Sequence, residues 1–288
     1  MDKYDNLTRF AFATGTAVAL LITFHIVQRM FERRHTVSGD AKGSNVAYLL
    51  LQAGHVIAVL LLVPGIVIEA LTHHDTLQES ATWGAVFVVV GVLLIHIAGA
   101  LGVLLLLRSS LRAELERGNV AAGVAGAANY VAIGILAAKT IAGSDLRDVG
   151  LSMAFFGLAV GSLALWVVLF RALTAYDDAE QIRGENLAAA ISYAGVTVAV
   201  AMLLARALRG GDFEGWMPAL KGFASVAVLA FALYPVRQLV VQGLILGRMP
   251  SIRGGALDDA IGTERNVGMA AMESLTYIAT ASAISELL

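Results

Sequence analysis

Eight stretches of this chain are apolar for long enough to cross a bilayer, and short polar segments separate them. A spanning helix needs about 20 mostly apolar residues. The stretches run over Thr8–Met30, Val46–Thr72, Ala81–Leu107, Val120–Ile141, Gly150–Thr174, Leu187–Leu208, Pro218–Leu246 and Asn266–Leu287. Each is continuously apolar rather than alternating, which excludes the strands of a membrane barrel. The pattern predicts an all-α fold, a polytopic membrane bundle of eight transmembrane helices. The first stretch reads as a retained span and not a signal peptide. Its apolar run is too long, and Arg29, Arg33 and Arg34 follow it where a small-residue cleavage site would stand. The last stretch is the weakest. It is rich in Ala, Ser and Thr and carries Glu273, so it must lean on its neighbours.

The polar punctuation repeats. The second, fourth, sixth and eighth spans open at Asn45-Val-Ala, Asn119-Val-Ala, Asn186-Leu-Ala and Asn266-Val-Gly. The four Asn residues are 74, 67 and 80 positions apart. Near-even recurrence of this kind marks an internal repeat. The unit is a helical hairpin: one helix runs in, a charged loop follows, and an Asn-initiated helix runs out. Four such units in one orientation make four parallel helical-hairpin repeats, unlike inverted-repeat transporters. Asn is a preferred helix N-cap, because its side-chain oxygen accepts a backbone N–H of the first turn. That accounts for the residue type without any function. The alternative is that four Asn side chains and four positive helix ends converge on one polar vestibule.

Charge gives an orientation. One set of loops holds Arg29, Arg33, Arg34, Lys42, Arg108, Arg112, Arg117, Arg171, Arg183, Arg248, Arg253 and Arg265. The opposite ends hold Lys3, Arg9, Lys139, Arg147, Arg206, Arg209 and Lys221. The richer set belongs in the cytoplasm, so both termini are expected on the periplasmic face. Composition agrees with a membrane protein: 58% hydrophobic and 15% charged residues, too few charges to coat a soluble domain. A net charge of -2 argues against nucleic-acid partners. The absence of cysteine removes thiolate metal sites and cysteine nucleophiles.

Asn186-Leu-Ala-Ala-Ala-Ile-Ser-Tyr-Ala-Gly195 and Asn119-Val-Ala-Ala-Gly123 resemble the repeated motif of the YjfL-type bacterial inner-membrane proteins, a family of unknown function. The resemblance implies two tandem four-span domains, about 1–145 and 146–288. Spans two and eight depart from the motif, with Ala47-Tyr48 and Gly268-Met269 in place of the Ala pair. It also implies a bacterial inner membrane, and partners from the envelope-stress gene sets with which relatives are associated. It brings no catalytic residues and no cofactor.

Polar residues inside the spans mark where a function would act, because an ionisable group costs about 2.5–3.5 kcal/mol at the helix centre. Seven residues after each Asn stand Gln52, Gly126, Tyr193 and Glu273, and ten after stand His55, Asn129, Val196 and Thr276. Those offsets lie about 20° and 80° from the Asn on the helix wheel, so this face is expected to point into the bundle. His25, His55 and His96 could gather as a proton-sensitive or metal-binding cluster, or each could bond a neighbouring carbonyl. Glu273 is either titratable on an ion path or paired, with Arg237 as candidate partner. Pro64 and Pro235 are expected to kink spans two and seven. Gly157-x-x-x-Gly161 is expected to pack on a neighbouring helix of the same chain. Tyr176-Asp177-Asp178 reads as a solvated loop. His73 and His74 read as interfacial.

No HExxH, GxSxG, Walker or dinucleotide motif occurs, so an enzyme is not expected, and neither is a bound metal. Two readings remain. One is a channel- or transporter-like protein with a polar intramembrane face. The other is a non-catalytic scaffold or sensor, working in the lipid bilayer as a homo-oligomer or with cytoplasmic stress-response partners. A water-accessible cavity along Gln52, His55, Asn129, Tyr193 and Glu273 would favour the first; a filled interior favours the second.

Overall fold

The computed structural model describes residues 4–32, 45–108, 110–141, 146–208 and 215–287. Lys3, Arg33, Arg34, Lys42 and Arg209, used above for orientation, lie outside these. All regular structure among the described residues is helical. Eight helices are long and apolar enough to span a membrane: Asn6–Met30, Val46–His73, Leu77–Leu107, Val120–Thr140, Arg147–Leu173, Leu187–Ala207, Trp216–Ile245 and Val267–Leu287. They are numbered here as spans one to eight. The protein is therefore a multi-pass, membrane-embedded helical bundle.

Two spans are broken near their prolines. In span two the helix stops at Leu60 and resumes at Leu62, where Pro64 cannot donate and its ring crowds the carbonyl four residues back. Span seven is more irregular. An α-helix to Ala227 tightens into a 3₁₀ segment, Val228–Ala232, and returns to one α turn, Leu233–Val236, that carries Pro235. It then widens into a π-helix, Arg237–Ile245.

Short helices precede three of the four Asn residues: Leu111–Glu116, Asp178–Arg183, and Ala256–Asp258 with the π turn Asp259–Thr263. A left-handed residue then reverses the chain just before the Asn. These residues are Gly118 (φ 82), Glu185 (φ 63) and Arg265 (φ 54). The end of the bundle where these turns lie is called the Asn side below.

The Asn-initiated spans pack side by side in the order two, four, six, eight, and these are the most extensive helix pairings in the molecule. Spans two and eight are not a packed pair, so the row is open. Its centre is the most enclosed part: 72% of the window in span four and in span six is buried, against at most 39% in any other span. Small residues bring the backbones together, as lipid-embedded helices require. A Cβ on Gly54 would lie 2.5 Å from Ala127 Cα, and one on Gly134 would lie 2.6 Å from Ala58 Cα. The odd-numbered spans flank this row.

Span five corrects one expectation. Gly157 and Gly161 have nothing of the chain within 4 Å of an added Cβ. The buried face of that helix is instead Phe156, Ala159, Leu163, Val167 and Phe170; the helix packs on spans four and six, and the Phe170 ring lies against Tyr234 of span seven and Tyr277 of span eight.

Candidate functional site

The four Asn residues share one local role. Each Oδ1 accepts the backbone N–H three residues on: Tyr48 (3.1 Å), Ala122 (3.1 Å), Ala189 (3.2 Å) and Met269 (3.1 Å). The helix cap is thus present in all four. The amide nitrogen does a second job. Asn45 Nδ2 donates to Leu115 O at 2.6 Å, Asn119 Nδ2 to Ile182 O at 2.9 Å, and Asn186 Nδ2 to Ile261 O at 2.9 Å. Each acceptor lies in the turn that precedes the next Asn in sequence. No shared vestibule results. Asn119 and Asn186 are fully buried, and their donors are spent on joining one hairpin to the next. The alternative, four Asn side chains converging on one polar vestibule, does not hold for Asn119 and Asn186.

The polar positions of the first half are packed separately. His55 is buried between the rings of Phe24 (5.3 Å) and Tyr130 (3.8 Å between centroids). Asn129 Nδ2 donates to Gly99 O at 2.9 Å across to span three. Gln52 and His96 are half-buried, and His25 is exposed. Among the described residues no three His, Asp or Glu side chains group as a metal would need. His74, at the C-terminal end of span two, is buried and stacks on Trp83 (5.5 Å, 7° between planes).

The second half gathers its polar residues into one cluster on the Asn side. Arg237, from the first turn of the π-helix, donates through Nε to Glu273 of span eight and through Nη2 to Asp258 of the short helix. All three side chains are 1% exposed. Glu273 also accepts from Ser192 Oγ of span six at 2.5 Å and from Tyr277 at 3.4 Å. Asp258 accepts the Ala175 backbone N–H at 2.6 Å. Beside them Arg171, at the end of span five, donates to Asp178 at 3.1 Å. Tyr193 completes the wall. These groups surround a cavity of ≈ 20 Å³, room for about one water. Arg237 Nη1 is buried without an acceptor among the described residues.

Hydropathy pointed to Arg237, Glu273 and Tyr193. It missed Asp258, Arg171, Ser192 and Tyr277, and misread Asp178 as solvated. Asp178 is 4% exposed, because its helix folds back under span six. Burial pushes its carboxyl up to about 7; Arg171 opposes the rise, and Glu273 and Asp177 add to it. Burial likewise raises the Tyr176 hydroxyl well above its ordinary value, helped by Asp178 and Glu273. A second, open cleft of ≈ 400 Å³ lies against this cluster, lined by Arg108, Arg171, Asp177, Asp178 and Arg253. Arg171 and Asp178 border both spaces, so solvent on the Asn side reaches the edge of the buried centre.

The family model of a domain of unknown function, DUF350, matches twice, over residues 3–141 and 145–288. The chain belongs to the DUF350 family. No curated protein and no solved structure matches it. The tandem copies that the Asn-Ala-Ala motifs suggested are thus found along nearly the whole chain. The two DUF350 copies have the same Asn caps and different interiors. The first buries a histidine between aromatic rings; the second buries the cluster around Arg237.

Proposed function

We propose that this DUF350 protein is a proton-responsive, non-catalytic membrane component that senses rather than conducts. One observation carries the reading. Three carboxylates, Asp178, Asp258 and Glu273, face two guanidiniums, Arg171 and Arg237, inside one buried cluster. Like charges in low dielectric cannot all stay ionised without compensation. One proton balances the set. With its carboxyl near 7, Asp178 exchanges that proton in the physiological range, and the Asn-side cleft supplies it. Spans five, six, seven and eight and two loops all meet at the cluster, so proton occupancy biases how they pack. The charge bias of the loops supports placing the Asn side in the cytoplasm of a bacterium and both termini in the periplasm. A cytoplasmic stress-response partner would then read the packing change at these loops.

The test is a pH titration of the full chain in liposomes, read by Trp166, whose ring lies 6.4 Å from that of Phe170 on the cavity wall. With Trp83→Phe and Trp216→Phe as background, a fluorescence transition with a midpoint near pH 7 is expected, and Asp178→Asn should abolish it. A flat titration, or one that Asp178→Asn leaves in place, would sink the sensor reading.

Proton-coupled transport is the second reading, and span seven favours it. Successive 3₁₀, α and π segments surround Pro235, and π segments recur at functional sites in helices. Proton or solute flux through reconstituted protein that Glu273→Gln removes would select this reading instead.

A further inference from the structure

We infer that the open cleft on the Asn side binds the phosphate of an anionic glycerophospholipid, whose acyl chain lies along a stripe of small residues on span five. The cleft measures ≈ 400 Å³, within the size range of small-molecule sites. Three guanidiniums line it from three separate parts of the chain. Arg108 caps span three, Arg171 stands in the last turn of span five, and Arg253 lies in the loop after span seven. Two carboxylates face them. Arg108 bonds Asp177 at 2.9 Å, and Arg171 bonds Asp178 at 3.1 Å. Arg253 has no carboxylate partner among the described residues, and its Nε donates to Thr174 O at 3.4 Å. One positive charge is left over, so a single anion balances the cleft. The Arg108–Asp177 pair is solvent-exposed, with side chains 63% and 39% accessible, and such a pair holds its partners weakly. Arg108 and Arg253 can therefore both turn to a phosphate, which a guanidinium grips through two parallel N–H donors.

Position makes the anion a lipid's. The apolar runs of spans three and five end at Leu107 and Leu173, so Arg108 and Arg171 sit where the helices leave the hydrocarbon. Basic pockets between spans at this level suit anionic headgroups. The loop that carries Arg253 also exposes two apolar side chains, Met249 at 87% and Ile252 at 84%, as a segment lying on a bilayer surface would. The wall of the cleft continues into the membrane. Val168 and Ala172 of span five line it and are exposed. Gly161 and Ala164 fall on the same face of the helix, at 3.6 residues per turn, and are exposed as well. An added Cβ on Gly161 would meet nothing of the chain within 4 Å. From Ala172 to Gly161 is about 17 Å along the helix, roughly half the hydrocarbon thickness and so the depth of one leaflet. Small residues in a span usually admit a neighbouring helix. No helix of this chain takes that place, and the acyl chain of a lipid held in the cleft would fill it. Soluble phosphate has no use for such a furrow. The site stands whether or not Asp178 titrates.

The test uses the full chain, delipidated in detergent and incubated with phosphatidylglycerol, phosphatidylcholine or inorganic phosphate. Native mass spectrometry reads what stays bound. One phosphatidylglycerol per chain is expected to be retained in preference to phosphatidylcholine. Arg253→Gln should weaken that retention about tenfold, the worth of one charge-assisted contact, and Arg108→Gln should act in the same direction. Gly161→Leu and Ala164→Phe each fill the furrow. They should weaken phosphatidylglycerol retention while leaving the thermal midpoint of the chain unchanged. Arg112→Gln, on the same side but outside the cleft, should alter nothing. Equal retention of the two lipids overturns the anionic headgroup. Retention that neither Arg253→Gln nor Arg108→Gln moves overturns the cleft, and so does an equal loss with Arg112→Gln. Inorganic phosphate that displaces phosphatidylglycerol, with both furrow variants binding as the parent does, makes this a free-phosphate site and overturns the lipid.

Discussion

A Cβ placed on Gly195 would lie 2.4 Å from Ser274 Cα. Spans six and eight therefore touch backbone to backbone, and Ser274 Oγ uses the proximity to donate to Ile191 O at 2.6 Å. Any larger residue must push the helices apart at this point. Gly195→Val is expected to destabilise the bundle by about 1–3 kcal/mol, the usual cost of overpacking a filled interior. Gly157→Val, on the open face of span five, is expected to cost far less. Thermal unfolding of both variants in one detergent checks the contrast, and equal losses would contradict the packing described.

Arg237 holds two carboxylates with one guanidinium. Removing a single partner from a buried ion pair leaves an uncompensated charge and costs about 3–5 kcal/mol. Glu273→Leu and Asp258→Leu are each expected to lose stability on that scale. The double change Arg237→Met with Glu273→Met should lose less than the sum of its single changes, since it removes opposite charges together. A double-mutant cycle in unfolding free energy measures the difference. Strict additivity would mean that the groups do not interact.

The spans were legible because a membrane demands long apolar runs, and the Arg237–Glu273 pair because a charge in such a run needs a partner. Asp178 and Asp258 were not legible. Both sit in segments polar enough to pass for solvated loops, and their burial comes from those loops folding back under spans six and eight. The Asn residues were half legible. Their oxygen follows the helix-cap pattern, visible in sequence, but the acceptor of their nitrogen lies more than sixty residues away along the chain. Hydropathy likewise placed His55, Asn129 and Glu273 on inward faces without showing that the first two pack apart from the third.

Asp178 gives the fold a pH dependence with a defined sign. Its folded carboxyl titrates at about 7, above the value of about 3.9 for the unfolded chain. The folded state therefore holds the proton more tightly. This contribution to stability is complete below the unfolded value and is lost as pH rises through 7. Between the two values stability should fall with pH by up to about 1.4 kcal/mol per unit. Unfolding of the purified protein at pH 5.5 and pH 8 is expected to show the higher stability at pH 5.5. Asp178→Asn should flatten the difference; if the difference persists, another group is responsible.

The Asn residues should differ in worth although their caps are alike. Truncating an Asn cap costs about 1 kcal/mol, and all four would lose that. Asn119 and Asn186 are also fully buried and donate to the next hairpin. Removing either also breaks that link between hairpins, a hydrogen bond worth about 0.5–1.5 kcal/mol net. Asn266 is exposed and serves as a cap. Asn119→Ala and Asn186→Ala are therefore expected to lose roughly twice the stability of Asn266→Ala or more. Chemical unfolding of the three variants, each isolated as the full chain, reads this order. Equal losses would show that the nitrogen contributes nothing beyond the cap, and that the hairpins are joined by their packed Gly and Ala faces alone.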